Sequence, residues 1–407
     1  MKQTEQQTDV AVLFSILRPD DMEDGVSLEE LESLVETANG WVAAILFQKR
    51  DRPESGTYFG AGKLAELKQT VIDLNATIAI CNDELTPSQQ KRLQDILDVR
   101  VIDRTQLILD IFARRARSKE GKLQVELAQL KYTLPRLTGM GAVMSRLGGG
   151  IGTRGPGETK LETDRRHIRR RIRDIEKKLN EVVAHRQRYR ERRRQQQAFQ
   201  LALVGYTNAG KSTLFSRLTD QETLVEDQLF ATLDPLTKQC RMPSSFHCLV
   251  SDTVGFIRDL PTTLIAAFRS TLEEAAEADA LLFVVDGSDD ERLAHERTVF
   301  NLLKQLELDH LPVLTIYNKM DQVNEQDLLP VQKPCIFTSG IHTEQTRVLK
   351  KNIEQWLGSF FDSYVEHVSA DDGKRLDLLK RHTIMTSLIF NEDEDKYEVR
   401  GYKPAAQ

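Results

Sequence analysis

The stretch Gly205-Tyr206-Thr207-Asn208-Ala209-Gly210-Lys211-Ser212-Thr213 places two glycines, a lysine and a hydroxyl in the order G-x-x-x-x-G-K-S. That order suits a polyphosphate. The glycines let the backbone of Gly205, Tyr206, Thr207, Asn208, Ala209, Gly210 and Thr213 turn N–H groups toward α and β phosphates, Lys211 adds a point charge, and the Ser212 hydroxyl can reach Mg²⁺. The flanks fit. Leu201 to Val204 is a buried-strand run entering the loop, and Ser212 to Leu218 has helical apolar spacing on leaving it. A chance match is the alternative that these flanks argue against.

Phosphate binding does not separate ATP from GTP, so the base must be read elsewhere. Asn318-Lys319-Met320-Asp321 ends the apolar run Leu311 to Tyr317. The Asp321 carboxylate can accept from N1–H and the exocyclic amine of guanine, whereas adenine has no such pair of donors. An unpaired buried acceptor costs about 1 to 3 kcal/mol, so the expectation is GTP over ATP by more than tenfold. Ser339 and Gly340, after the strand-like Cys335 to Thr338, are expected to offer backbone contacts to the guanine carbonyl; an ordinary strand-end turn is the alternative.

Between these motifs, Asp252-Thr253-Val254-Gly255 follows the strand-like Cys248 to Val250. It sets a carboxylate where Mg²⁺ can be held through water, and a glycine N–H where a γ-phosphate can be bonded. Thr232 is the candidate threonine that closes on the metal, with Ser212 and Asp252 as the other metal residues; Thr223 and Thr237 compete with it by composition. Lys211, Thr232 and Gly255 are therefore the expected catalytic groups. Phe256 follows Gly255, and a phenyl ring cannot orient an attacking water. A slow intrinsic reaction accelerated by a partner is the consequence. Asn208 is either a loop-capping residue or a K⁺ ligand, and Arg258 and Arg269 are further candidates to approach the phosphates.

The elements that must position these groups fall into four parts. The 407 residues exceed one core, and 40% hydrophobic with 29% charged residues is an ordinary globular composition. The expected class is α/β: an N-terminal α/β domain (1–100), an antiparallel helical hairpin (101–197) with a glycine-rich tip (139–157), a P-loop GTPase domain (198–359) and a small C-terminal α+β domain (360–407). Cys81, Cys240, Cys248 and Cys335 form no C-x-x-C pair, which speaks against zinc or a disulfide framework and for a reducing, cytoplasmic setting. No run approaches the roughly 20 apolar residues of a membrane span. Gly56 to Lys63 brings glycines and a lysine to a helix start, as either a structural turn or a second phosphate site.

Charge is unevenly spread. Residues 160–194 hold fifteen Lys or Arg against six acidic residues, a local +9 in a chain of net −6. A basic arm on an acidic body fits a polyanionic partner; a solvated helix face is the alternative. Leu123, Leu127, Leu130, Leu134 and Leu137 repeat at heptad spacing, as do Ile168, Ile172, Ile175, Leu179 and Val182, so two helices of about 35 residues, roughly 50 Å each, are expected to pair, with Pro135 kinking or ending the first. Between them, Gly139 to Gly157 contains eight of the 22 glycines. A linker is one reading; the other is backbone that enters a narrow RNA-walled space, with Arg146, Gly149, Gly150 and Arg154 as contacts.

Taken together, Arg52-Pro53-Glu54-Ser55-Gly56-Thr57-Tyr58-Phe59-Gly60, Ser145 to Gly152, Gly155-Pro156-Gly157-Glu158-Thr159, the phosphate loop and Asp252 to Ile257 make the chain resemble the HflX family of ribosome-associated GTPases over nearly its full length. The resemblance implies GTP/GDP and Mg²⁺ as cofactors and binding to the large ribosomal subunit. It also implies ribosome-stimulated hydrolysis and splitting or rescue of stalled 70S ribosomes under stress; a monomer that does not bind DNA is the accompanying expectation. It supports Thr232 as the switch threonine and places Phe256 at the family's hydrophobic switch position. Gly340 stands where many GTPases have alanine. The rival readings are a ribosome-assembly or tRNA-related GTPase, an RNA-remodelling ATPase run by the N-terminal domain, and a non-enzymatic scaffold that binds GTP as a structural ligand.

Overall fold

The computed structural model describes residues 8–18, 28–137, 156–195, 198–220, 228–258, 275–323 and 329–404. The expected RNA contacts Arg146, Gly149, Gly150 and Arg154 lie outside the described residues, as do Thr223 and Arg269. The chain divides into two compact units, one formed mainly by residues 1–182 and the other mainly by 183–407. Among the described residues, no helix is long and apolar enough to cross a membrane.

The first unit is built on a four-stranded parallel sheet ordered β2-β1-β3-β4, from β1 (Val10–Leu17), β2 (Trp41–Lys49), β3 (Ile78–Cys81) and β4 (Arg100–Asp103). Every residue of β3 and the interior of β1 are buried, as expected of central parallel strands covered on both faces. Helices α1 (Glu29–Thr37), α2 (Ala61–Asp73) and α3 (Pro87–Leu97) alternate with them. Thr86 and Gln89 form a reciprocal capping box at α3, with Pro87 in its first turn.

The sheet extends past the expected boundary at residue 100, because Arg100 to Asp103 pairs with β3 along its whole length. Asp103 then caps α4 (Arg104–Arg115), accepting from Gln106 N at 2.9 Å, and Leu107, Ile108, Ile111 and Phe112 are buried. The N-terminal unit thus includes α4.

Two helices of about equal length are not what forms. α5 (Lys119–Arg136) has 18 residues and α6 (Pro156–Gln195) has 40. The first is short because Ser118 starts it afresh after α4, accepting from Gly121 N at 2.8 Å, and because Pro135 lies in its last turn. Their shared seam is real over its middle: Leu123, Leu127 and Ile175 are buried, with Leu130, Ile172 and Leu179 against them. Arg171 grips Glu126 bidentately at 2.6 and 2.8 Å, and Lys131 meets Glu176 at 2.8 Å.

The second unit holds a six-stranded sheet ordered β10-β9-β8-β5-β7-β6. Its strands are β5 (Phe199–Gly205), β6 (Leu236–Arg241), β7 (His247–Asp252), β8 (Ala280–Asp286), β9 (Val313–Asn318) and β10 (Cys335–Phe337); only β6 runs antiparallel to its neighbour. Helices α7 (Lys211–Thr219), α8 (Arg292–Gln305) and α9 (Thr343–Gly358) belong to the same unit. Leu201, Leu203, Leu214, Phe215, Leu282, Val284, Leu314 and Ile316 form the centre of its core.

Beyond α9, β11 (Asp362–Ser369), α10 (Gly373–His382), β12 (Ile384–Asn391) and β13 (Lys396–Lys403) make an antiparallel sheet ordered β11-β13-β12 with one helix. Val368, Leu379 and Val399 form a small core of their own. Phe361 and Ile384, however, are buried within the core of the six-stranded sheet. Residue 360 is therefore not a boundary between separate cores.

Candidate functional site

The loop between β5 and α7 turns at Gly210, whose φ of +88° lies in the left-handed region. A Cβ there would sit 2.2 Å from Asn318 Nδ2. Asn318, 3% exposed at the end of β9, donates from Nδ2 to the Ala209 carbonyl at 2.9 Å and accepts from Gly340 N at 2.9 Å. One carboxamide thus ties the phosphate loop to the loop after β10.

Asp321 follows in a 3₁₀ turn, Met320–Gln322, and its carboxylate accepts a short hydrogen bond from the Ser339 hydroxyl. Lys319 adopts φ +61° and pairs through Nζ with Asp286 Oδ2 at 2.7 Å. The Ser339 N–H is held by Gln345 Oε1 at 2.6 Å. Arg217 donates to the carbonyls of Gly340 and Ile341 at 3.1 and 3.2 Å. The N–H groups of Ser339 and Gly340 are thus engaged within the protein, and what these two residues give the pocket is its shape and the aim of Asp321.

Ser212 at the start of α7, Thr232 and Asp252 at the end of β7 converge. Ser212 Oγ lies 2.7 Å from Thr232 Oγ1 and 2.8 Å from Asp252 Oδ2, and Thr232 Oγ1 is also 2.8 Å from Asp252 Oδ2. Thr237 bonds Ser251 at 2.8 Å instead. Asp252 is 2% exposed and its Oδ1 lacks a hydrogen-bond partner. Burial pushes its carboxyl up, against the pull of Lys211 and the two hydroxyls. Two hydroxyls and a buried, half-satisfied carboxylate are a hard-oxygen set that fits Mg²⁺, which binds through one or two carboxylates and completes its shell with water and phosphate.

Lys211 is buried, its Nζ 2.6 Å from the Tyr206 carbonyl; burial lowers its pKa to about 8, with Asp252 opposing. Gly255 lies against the phosphate loop so closely that a Cβ would stand 2.8 Å from Thr207 Cγ2 and 3.0 Å from Lys211 Nζ. The cleft these groups enclose measures about 280 Å³. Thr207, Asn208, Gly210, Lys211, Ser212 and Thr213 line its phosphate end, Thr232 and Gly255 its side, and Asn318, Lys319, Asp321, Ser339 and Gly340 its base end.

Gly205, Tyr206 and Ala209 do not line it. They act through their main chain: Gly205 O accepts from Phe256 N at 3.0 Å, Tyr206 O accepts from Lys211, and Ala209 O accepts from Asn318. Asn208 has φ +60°, a conformation that asparagine tolerates, which favours its reading as a turn residue. Phe256 is 2% exposed and its carbonyl accepts from Thr207 N at 2.7 Å, so its ring fills the core and its backbone pairs with the loop. The Arg258 guanidinium lies 3.8 Å from Glu291 and is not part of the cleft wall.

Sequence reasoning passed over Gln228, Phe230 and Ala231, which line the cleft just before Thr232. Phe230, at φ +56°, is a bulky residue in a conformation such residues rarely take, and no spacing rule signals it. Arg217 and Asp286 were missed because each supports a motif residue from a distant part of the chain, and Gln345 because no motif rule ties it to Ser339 six residues before it. Gly56 to Lys63 forms a turn around buried Tyr58, with Lys63 paired to Glu66 at 2.7 Å in its own helix.

A six-stranded sheet with a G-x-x-x-x-G-K-S loop after β5, a buried aspartate at the end of β7 and an N-K-x-D sequence at the end of β9 defines a P-loop GTPase. Family models described as GTP-binding GTPase N-terminal, GTP-binding GTPase Middle Region and 50S ribosome-binding GTPase match residues 26–113, 115–193 and 200–319. GTPase HflX of Alkalihalophilus pseudofirmus is 54% identical over 383 residues, covering 94% of this chain and 90% of that protein. GTPase HflX of Escherichia coli K12 is 43% identical over 305 residues, covering 75% of this chain and 71% of that protein. The chain belongs to the HflX GTPase family, and it is a GTP hydrolase. A crystal structure of SsGBP with GDP is also similar, at 26% identity and a TM-score of 0.48, covering 86% of this chain and 98% of that one.

Proposed function

We propose that this chain is a Mg²⁺-dependent GTPase that binds the large ribosomal subunit and uses GTP to split or rescue stalled 70S ribosomes under stress, its slow hydrolysis accelerated by the ribosome. The observation that carries the reading is the segregation of charge: residues 160–194 bear +9 immediately before a GTPase sheet in a chain of net −6. Phosphate contacts dominate affinity for folded RNA, and such a segment supplies them. The match of residues 200–319 to a family model described as 50S ribosome-binding GTPase supports the same partner. The glycine-rich segment with Arg146, Gly149, Gly150 and Arg154 is proposed as the part that enters the RNA.

Within the cleft, Ser212, Thr232 and Asp252 would hold Mg²⁺, which when bound neutralises charge on the β and γ phosphates. Lys211 exchanges the Tyr206 carbonyl for phosphate oxygens, and the Gly255 N–H donates to the γ-phosphate. Thr232 orders its segment when the triphosphate is present, because its hydroxyl already stands beside both Ser212 and Asp252. Asp321, aimed by Ser339, selects guanine. Phe256 gives no group that can orient water, so the rate depends on how a partner orders these segments. The protein acts in the cytoplasm as a monomer; a K⁺ ligand role for Asn208 is secondary to its turn geometry.

Sedimentation of purified 70S ribosomes with the full chain and GTP or a non-hydrolysable analogue tests this. Conversion of 70S particles to free subunits with the protein on the large one is the expected result. Enrichment of small-subunit precursors or tRNA, with mature 70S particles untouched, would overturn it in favour of an assembly or tRNA-related GTPase. ATP-dependent unwinding that persists in Asp321→Asn would instead assign the work to the N-terminal domain.

A further inference from the structure

Outside the cleft, the ring of Tyr206 lies flat on the imidazole of His295, with centroids 3.7 Å apart and planes 16° from parallel. Tyr206 is the second residue of the phosphate loop, and its hydroxyl accepts from the main-chain N–H of Arg258 at 2.7 Å. His295 is itself fixed. Its Nδ1 stands 2.6 Å from Asp289 Oδ2, so the ring donates there, and its Nε2 stands 3.6 Å from Glu291 Oε2. The same Glu291 oxygen is 3.8 Å from the Arg258 guanidinium. Arg258 is thus approached by this cluster through both its main chain and its side chain.

The segment held in this way is the one that follows Gly255. Phe256 N donates to Gly205 O at 3.0 Å and Thr207 N donates to Phe256 O at 2.7 Å, a two-bond bridge ending where the Tyr206 hydroxyl takes over. We propose that His295 is a positioning residue for GTP hydrolysis: its stack on Tyr206 keeps the Phe256 to Arg258 segment registered against the phosphate loop, and with it the Gly255 N–H. With a phenyl ring where a water-orienting group would be needed, placement of this segment controls the rate, and the stack sets that placement. His295 does not line the cleft. The cleft residues Thr207, Asn208, Gly210 to Thr213, Asn318, Lys319 and Asp321 hold the nucleotide without it, so affinity is separable from the stack. Asp289, which holds His295, lies three residues beyond Asp286, the end of β8 and the partner of Lys319; the two ion pairs have separate partners.

The test is single-turnover hydrolysis of GTP by the full chain with Mg²⁺, alongside GDP affinity and hydrogen exchange of residues 254–258. His295→Ala is expected to slow hydrolysis about tenfold, which is about 1.4 kcal/mol in the barrier, with GDP affinity within about twofold and faster exchange confined to that segment. His295→Phe keeps a ring on Tyr206 and is expected to restore most of the rate. Tyr206→Phe, which keeps the stack and removes the hydroxyl, is expected to slow hydrolysis without adding to His295→Ala in the double variant. An unchanged rate in His295→Ala would overturn the proposal, as would a loss of rate, affinity and melting temperature together that His295→Phe fails to rescue.

Discussion

Arg136, the last residue of α5, donates from Nη2 to Oδ2 of Asp103 at 3.1 Å, fastening the end of that helix to the N-terminal sheet. Asp103 is fully buried, and it also accepts from Tyr132 Oη at 2.8 Å, Leu85 N at 3.1 Å and Gln106 N at 2.9 Å. Arg136 further donates to the carbonyls of Tyr132 and Leu85 at 3.0 and 2.9 Å. The residue three positions before Gly139 is thereby held by side-chain and main-chain acceptors at once. Breaking a buried pair from one side leaves its partner charged and unmatched, at a cost of about 3 to 5 kcal/mol. Arg136→Ala is expected to lower the stability of the N-terminal unit by about 3 kcal/mol, read as urea unfolding. Arg136→Lys should recover only part, because an ammonium cannot reach all these acceptors at once.

Asp321→Asn should weaken GTP about a hundredfold, close to 3 kcal/mol, since two charge-assisted hydrogen bonds to guanine are replaced by a mismatched amide. Xanthine carries a carbonyl where guanine has its amine, and the new amide N–H complements it. XTP should therefore bind the variant better than GTP does, and competition against labelled XDP reads this directly.

Gly210→Ala puts a methyl group 2.2 Å from Asn318 Nδ2 and forces φ +88° on a residue that resists it. The variant can relieve the clash only by moving the carboxamide that ties Ala209 to Gly340. Loss of GDP binding by tenfold or more is expected in isothermal titration, with destabilisation of about 2 kcal/mol.

Glu296 on α8 is 3% exposed, with Arg292 Nε 3.5 Å away. Burial raises its pKa, with Arg292 and Tyr317 opposing. The folded state therefore binds more protons than the unfolded one above pH 4.5, and stability contributed by this group falls as pH rises through the raised value. Glu296→Gln should abolish that slope and gain in stability on the parent protein as pH rises above 4.5. Thermal unfolding across that range checks the sign; an unchanged slope would show that the carboxyl is charged at no cost in the fold.

The parts legible in the sequence were those whose spacing is short. The phosphate loop, Asn318 to Asp321 and Asp252 to Gly255 carry their chemistry within a few residues, and β1 and β3 announce themselves as continuous apolar runs. The seam of Leu123, Leu127, Ile172 and Ile175 was legible from its heptad period. The length of α5 was not, because the break at Ala116 to Ser118 depends on a cap rather than on hydrophobic period. Arg136 with Asp103, and His295 with Tyr206, join residues that are near only after folding. No local pattern encodes such pairs, and each supports a motif rather than belonging to one.

Phe361 and Ile384 carry a consequence for any shortened form of the chain. Both side chains belong to the last strands and their approach, yet both plug the interior beneath the nucleotide sheet beside Phe199 and Phe246. A protease nick or premature stop near residue 360 would not release a trimmed but working enzyme. It would unroof the catalytic half, leaving greasy surface for chaperones to recognise as damage.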